Sequence, residues 1–302
     1  AVALPGKEMD IAMVKDLRGK IKHEQCLKGY TTFKVGGSAT LFAEPTNPEE
    51  LQGVLDYGKE QGLKIFILGK GSNILVRDSG VEGLVVHIPR GAFSRIERSD
   101  EQVLVEAGVS LPRLIQRTAE WELKGLENLV GIPGSVGGAV AMNAGGKYGT
   151  VERWIEEVST IGYDGALHSY TRGQVDFQYR NAGLGQQIVL GARLRLEKGS
   201  REEILHRMRE VYEEKSSSQP LSAKSAGCVF KNPPGQSAGG LIDQSGLKGF
   251  KVGGAMVSRK HANFIVNWSS ATAAQVLELI QRIREEVKKR FGVWLEPEIK
   301  IW

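Results

Sequence analysis

Residues 131–146 read Gly131-Ile-Pro-Gly-Ser-Val-Gly-Gly-Ala-Val-Ala-Met-Asn-Ala-Gly-Gly146, with six glycines and a proline in sixteen positions. Glycine gives up side-chain packing and costs backbone entropy, so such density makes sense where the backbone needs positive φ or must come very close to something. A ligand's phosphates are one such object: backbone N–H groups and the start of the apolar run Ala139–Met142 would bind a diphosphate without a cationic side chain. A tight connection between two packed layers is the other reading of this loop alone.

A second loop lies upstream. The strand-like run Lys64-Ile-Phe-Ile-Leu68 leads directly into Gly69-Lys-Gly-Ser-Asn73, followed by Ile74-Leu-Val76. Lys70 is not followed by Ser or Thr, which excludes a Walker loop, and no third glycine opens a helix, which excludes a dinucleotide fingerprint. The chain therefore carries two glycine loops of non-Rossmann type.

Taken together, Gly69-Lys-Gly-Ser-Asn-Ile-Leu-Val76, Gly131-Ile-Pro-Gly-Ser-Val-Gly-Gly138 and Asn143-Ala-Gly145 resemble the UDP-N-acetylenolpyruvoylglucosamine reductases, type II form. The resemblance continues through Tyr179-Arg180, Ala226-Gly-Cys-Val-Phe-Lys-Asn-Pro233, Gly239-Gly-Leu-Ile-Asp243, Gly246-Leu-Lys-Gly249 and Pro297-Glu-Ile299. It spans about residues 15–302. It implies an α+β fold, with a two-subdomain FAD-binding domain of p-cresol-methylhydroxylase type (1–88 and 89–203) and a smaller α+β substrate-binding domain (204–302). The last strand of that domain would return to the flavin site. The stretch between Arg180 and Cys228 is too short for the substrate-capping segment of one subclass, hence the type II expectation.

The resemblance also implies the chemistry. NADPH would reduce non-covalently held FAD, and flavin N5 would pass hydride to UDP-N-acetylglucosamine enolpyruvate, giving UDP-N-acetylmuramate for peptidoglycan. Negative charge building beside the carboxylate calls for a cation and for an acid that protonates the carbanion. Arg180 matches the cation, Glu298 the second acid and Cys228 the proton donor, at a place where much of the family has serine. A free thiol is a better acid than an alcohol but must stay protonated to serve. Glu298 as a protonated acid would need a raised pKa.

The cofactor positions implied are Gly69, Lys70, Gly71, Ser72, Asn73, Ile74, Gly131, Pro133, Gly134, Ser135, Gly137, Gly138, Ala141, Asn143 and Gly145. Tyr179, Arg180, Lys231, Asn232 and His261 fall near the UDP-sugar. The chain departs from its relatives at Ala182, usually serine, at Gln219, a lysine region in some, and at His261, glutamine in some. An oxidase on the same scaffold and a non-catalytic UDP-sugar binder are the competing readings.

Composition agrees with a globular protein of about two domains, with 302 residues, 41% hydrophobic and 25% charged. Forty basic and 35 acidic residues leave a net charge of +5, interleaved as in Arg282-Ile-Arg-Glu-Glu286, so no nucleic-acid stripe is expected. Cys26 and Cys228 make no disulfide framework or metal spacing, which points to a reducing cytoplasm. No apolar run approaches the length of a membrane span. A monomer and no metal are expected.

Local signals predict the remaining elements. Met9–Leu17 reads as a short helix, and Asn47-Pro48 with Glu50 opens another. Ser110 caps a third, Asp164-Gly165 marks a hairpin, and Ser200 with Glu203 and Thr272 with Gln275 read as capping boxes. Lys288–Arg290 and Gly292 close the longest helix.

Overall fold

The computed structural model describes residues 20–89 and 91–302; the helix expected around Met9–Leu17 lies outside them. The first unit is a four-stranded sheet. Lys22–Cys26 pairs antiparallel with Ser38–Ala43, then Val81–His87 and Ile65–Leu68 follow in parallel. A parallel connection needs a crossover, which the helix Pro48–Glu60 supplies. Asn47 accepts the Glu50 N–H at 2.8 Å, Pro48 sits where its missing N–H costs nothing, and Leu51, Val54 and Leu55 form the buried face.

The second unit is an antiparallel five-stranded sheet in the spatial order Leu167–Thr171, Ile155–Gly162, Gln187–Arg195, Gln102–Glu106, Ile96–Ser99. Its hairpin turns at Asp164-Gly165, where Gly165 has φ +85° and Asp164 Oδ1 accepts the Ala166 N–H. Alternation on Gln187–Arg195 buries Leu194 and leaves Arg195 exposed. Helix Leu111–Glu120, capped by Ser110, and the six-residue helix Val136–Ala141 complete its core.

In the third unit, Lys251–Val252, Ala255–Val257 and Ile265–Asn267 form a small sheet beneath helix Ala273–Phe291. The helix opens with the capping box expected at Thr272 and Gln275 and ends at Gly292, φ +72°. Its apolar face shares a core with Phe33, Val35 and Leu75 from the first unit. Fully burying a side chain such as Phe33 stabilises by about 1.5–3 kcal/mol, so this shared core ties the two units together.

Two expectations change. Ser200 makes no side-chain cap bond, so the capping box with Glu203 does not form. Helix Arg201–Ser218, placed by sequence at the head of the substrate domain, packs on the second unit: Met208 joins its core, Arg207 Nε donates to Asn128 Oδ1, and Lys215 reaches the carbonyls of Asn128 and Val130. A helix that buries its face on one core is held by that core, so Arg201–Ser218 packs with the second unit.

Candidate active site

The two glycine loops touch. Ser72 Oγ donates to Pro133 O at 3.3 Å, and a Cβ on Gly69 would lie 2.6 Å from Ser135 Oγ. Only glycine permits that approach without displacement. Gly71 O accepts from Thr32 N at 3.1 Å and from Thr32 Oγ1 at 3.2 Å. Because a trans peptide sets its C=O and N–H in opposite directions, the Ser72 N–H points away from Thr32.

The other loop differs from the sequence expectation. The first amides of the Val136–Ala141 helix are already used: Val136 N donates to Val109 O, Gly137 N to Ala107 O and Gly138 N to Ser135 Oγ. Gly137 is needed because a Cβ there would lie 2.8 Å from the Ala107 Cβ. The long loop thus shapes a wall beside the strand ending at Glu106, and its helix start is not an open anion site.

Between the units lies a cavity of about 970 Å³, large enough for a dinucleotide-sized ligand and lined by both loops, by Arg180 and by Cys228 and Glu298. Among the positions expected to hold FAD, Gly69 through Ile74 line it, as do Gly131, Pro133, Gly134, Ser135, Gly137, Gly138, Ala141 and Gly145. Asn143 does not. It is 3% exposed, with φ +41°, and its Nδ2 donates to Gln178 O at 3.1 Å, pinning the turn that carries Tyr179 and Arg180. Its Oδ1 is buried without a partner. The close-approach glycines and the long cavity fit a flavin dinucleotide.

The chemistry-bearing side chains converge at one end. Pairing of Lys300–Ile301 with Ile74–Leu75 brings the C-terminus beside the first glycine loop, where Asn73 O accepts the Lys300 N–H and Asn73 Nδ2 donates to Glu298 O at 3.3 Å. Glu298 N donates to Val229 O at 2.7 Å, setting it next to the segment that carries Cys228. Glu298 is 9% exposed, and both of its carboxylate oxygens accept: Oε1 from Arg180 Nε at 2.6 Å, Oε2 from the Tyr179 hydroxyl at 3.0 Å.

Burial pushes the Cys228 thiol up to about 12, Glu298 adds to the rise, and Arg180 opposes it. The group is therefore a neutral thiol at pH 7, the form that can give a proton. Arg180 itself sits at φ +57°, a backbone state that a non-glycine residue adopts at a cost of about 1–3 kcal/mol where surrounding structure imposes it. The Gln178–Asn181 bridge and Asn143 impose it here.

The expected substrate positions divide. Tyr179, Asn232 and His261 line the cavity. Asn232 Oδ1 accepts the Ala238 N–H. His261 Nδ1 accepts the Asn263 N–H, which puts the ring proton on Nε2, and burial lowers its basicity. Lys231 turns away: its Nζ pairs with Glu296 at 3.3 Å, and it is not part of the lining. Its amide is bonded to Glu296 O, so the side chain runs beside that residue. Ala182, where the resemblance implied a serine, is buried in the second core, and its amide is bonded to Ala141 O. Gln219 also lines the cavity.

Sequence reasoning missed Lys215 and Trp302, both in the lining. Lys215 Nζ donates to Val130 O at 2.6 Å, and burial holds it at about 8. Nothing in its helical surroundings marked it. His87 is bonded to Glu44 and stacked on Phe42, outside the lining. No group of three or more metal-binding side chains, and no helix long and apolar enough to cross a membrane, occurs among the described residues.

Comparison with known proteins gives two family matches. A model described as "UDP-N-acetylenolpyruvoylglucosamine reductase, C-terminal domain" matches residues 219–302, starting just past the helix that packs on the second unit, and one described as "FAD binding domain" matches 39–171. The chain is 42% identical over 286 residues to UDP-N-acetylenolpyruvoylglucosamine reductase 2 of Symbiobacterium thermophilum, covering 94% of this chain and 92% of that one. It is 42% identical to the Nostoc punctiforme reductase over 93% of this chain and 86% of the relative. A crystal structure of the Thermus caldophilus reductase superposes with a TM-score of 0.82 at 43% identity, covering 93% and 98% of the two chains.

Proposed function

This chain belongs to the UDP-N-acetylenolpyruvoylglucosamine reductases, and from that premise we propose how its own residues carry out the reduction. The family is FAD-dependent and acts in peptidoglycan precursor synthesis. FAD, when bound between the glycine loops, supplies the hydride, with NADPH as the source of electrons.

Arg180 binds the enolpyruvyl carboxylate. Its contact with Glu298 uses Nε, which keeps the terminal amino groups for a bidentate grip on that carboxylate as negative charge develops. Glu298 orients Arg180 and Tyr179 together. Cys228 gives its proton to the carbanion, and its burial keeps the proton in place until a stronger base arrives. Tyr179, Asn232 and His261 orient the UDP-sugar, while the surrounding wall excludes water. All of these groups come from one chain, consistent with a monomer, and the reading places the reaction in the cytoplasm.

The observation that carries this reading is the convergence of Arg180, Cys228 and Glu298, from three separate stretches, at one end of the cavity that the glycine loops line. The test is the visible spectrum of the purified protein, followed by NADPH oxidation with and without UDP-N-acetylglucosamine enolpyruvate. The expected outcome is a yellow protein whose turnover depends on the enol ether. Cys228→Ala should accept electrons from NADPH but not pass them on, and Cys228→Ser should be partly active. Undiminished enol-ether reduction by Cys228→Ala would show the thiol to be a bystander.

A further inference from the structure

Lys215 sits in the last turn of helix Arg201–Ser218 and lines the large cavity, yet it takes no part in the steps of the reduction. Its backbone carbonyl accepts the Gln219 N–H at 2.7 Å, where the chain leaves the helix for the segment that carries Cys228. Its side chain reaches the long glycine loop. Nζ donates to Val130 O at 2.6 Å and to Asn128 O at 3.4 Å, and a Cβ on Gly131 would lie 3.2 Å from Lys215 Cδ. The ammonium therefore sits where that loop begins.

The turn Glu127–Leu129 shows why a side chain serves there. Its backbone bonds use the carbonyls of Leu126, Glu127 and Leu129, which accept from Leu129, Val130 and Ile132. The Asn128 and Val130 carbonyls accept from Lys215, and a carbonyl shielded from water is costly to leave without a donor. Further along, the loop is fixed by Leu111 N on Gly134 O and by Ser72 Oγ on Pro133 O. Lys215 is the matching anchor at its near end.

Charge around the ammonium is already committed. Burial lowers Lys215 to about 8 and Glu214 opposes the shift, but Glu214 is itself taken by Lys147 and the Tyr148 hydroxyl at the tip of the hairpin 145–150. On the same helix Arg207 pairs with Glu210. On the elements packed against it, Glu127 accepts the Gly125 N–H, Lys124 pairs with Glu197 and Arg117 with Glu120, Lys260 donates to Ser216 O, and Arg113 is exposed. An anion entering the cavity offsets the desolvation of the Lys215 ammonium. FAD carries a diphosphate, so cofactor and proton favour each other at this residue.

We propose that Lys215 is a positioning residue for the flavin: its ammonium fixes the entrance of the long glycine loop in the shape that FAD requires, from the helix that leads to the Cys228 segment. This role presupposes FAD in the cavity that the glycine loops line.

FAD affinity is read by flavin fluorescence from dilution series of the holoprotein between pH 6.5 and 9.5, for wild type, Lys215→Arg and Lys215→Met. Far-UV circular dichroism reports that each is folded. Cys228, at about 12, and His261, whose basicity burial lowers, titrate outside the upper half of that range. The ammonium is present below about pH 8 and lost above it, so wild-type affinity should be level at first and fall about tenfold by pH 9.5. Lys215→Arg stays charged and should hold the flavin across the range. Lys215→Met should bind FAD about tenfold more weakly at pH 7, with no further fall at higher pH. A fall retained in Lys215→Arg overturns the proposal, as does a flat wild-type profile. So does full FAD affinity in Lys215→Met with a raised KM for the enolpyruvyl sugar, which would assign the ammonium to the substrate. Wild-type protein that binds no flavin at any pH overturns the FAD reading itself, and this role with it.

Discussion

Arg180 Nε stands 2.6 Å from Glu298 Oε1 although 118 positions of sequence separate them. The pair is asymmetric, with the Glu298 side chain 8% exposed and that of Arg180 20%. Removing the cation therefore strands a nearly buried carboxylate, whereas removing the carboxylate leaves a cation that water can reach.

Arg180→Lys should retain flavin and lower the rate of the enol-ether half-reaction about 10²-fold or more, because an ammonium offers no fork to a carboxylate. The flavin-reduction half-reaction should change little. Stopped-flow measurement of the two halves checks this, and equal loss in both would point to a disturbed cavity instead.

Cys228 should resist iodoacetamide at pH 8 while the exposed Cys26 reacts. Glu298 raises the Cys228 pKa, so Glu298→Gln should speed alkylation of Cys228. Arg180 lowers it, so Arg180→Met should slow it. Peptide mapping by mass spectrometry resolves the two thiols. A Cys228 rate matching that of Cys26 contradicts its raised pKa.

Gly69→Ala should weaken FAD binding, since the new Cβ would meet Ser135 Oγ at 2.6 Å and Gly69 has no positive φ to confound the effect. Gly69→Ala/Ser135→Ala removes that contact, at the expense of the Gly138 N–H cap worth about 1 kcal/mol. The double variant should bind FAD better than the sum of the single losses predicts. Reconstitution of apoprotein, followed by flavin fluorescence, measures all three.

Asp78 links two units: its oxygens accept the Ala273 and Ala274 N–H groups, both at 2.8 Å, at the start of the long helix. Asp78→Ala should destabilise by about 1–2 kcal/mol, with the Thr272 box still in place. A urea midpoint unmoved by the change would mean water replaces the carboxylate without cost.

Glu50 is held at about 2, against 4.5 for the ordinary side chain, chiefly by the Lys20 ammonium and then by the Thr46 N–H. A carboxylate depressed in the folded state stabilises above its unfolded pKa, and that contribution is lost as pH falls through the folded value. Wild type and Glu50→Gln should therefore differ most above pH 4.5 and converge towards pH 2. Denaturant midpoints across that range test the convergence.

Much of this was legible locally. Asn47, Ser110, Thr272 and Gly292 act within one helical turn of themselves, so their caps could be read without knowing the fold, and the Asp164-Gly165 hairpin likewise. Ser200 holds the N-cap position with extended backbone yet makes no side-chain cap bond, so residue type and position together did not suffice. A motif names neighbours, but the course of the backbone decides which way each one faces, and Lys231 pairs with Glu296 outside the cavity lining.

Sequence alone established the two glycine loops, because a Cβ at Gly69 or Gly137 would crowd the side chain of Ser135 or Ala107, and it established the family through the residues between and beyond them. Which groups would meet was decided by the tertiary structure. The parallel pairing of Lys300–Ile301 with Ile74–Leu75 draws Glu298 to Arg180, and the core shared by Phe33, Leu75 and the Ala273–Phe291 helix holds the first and third units together. These are long-range contacts, stabilised by burial and strand pairing between segments far apart in the chain, and no local pattern encodes their geometry.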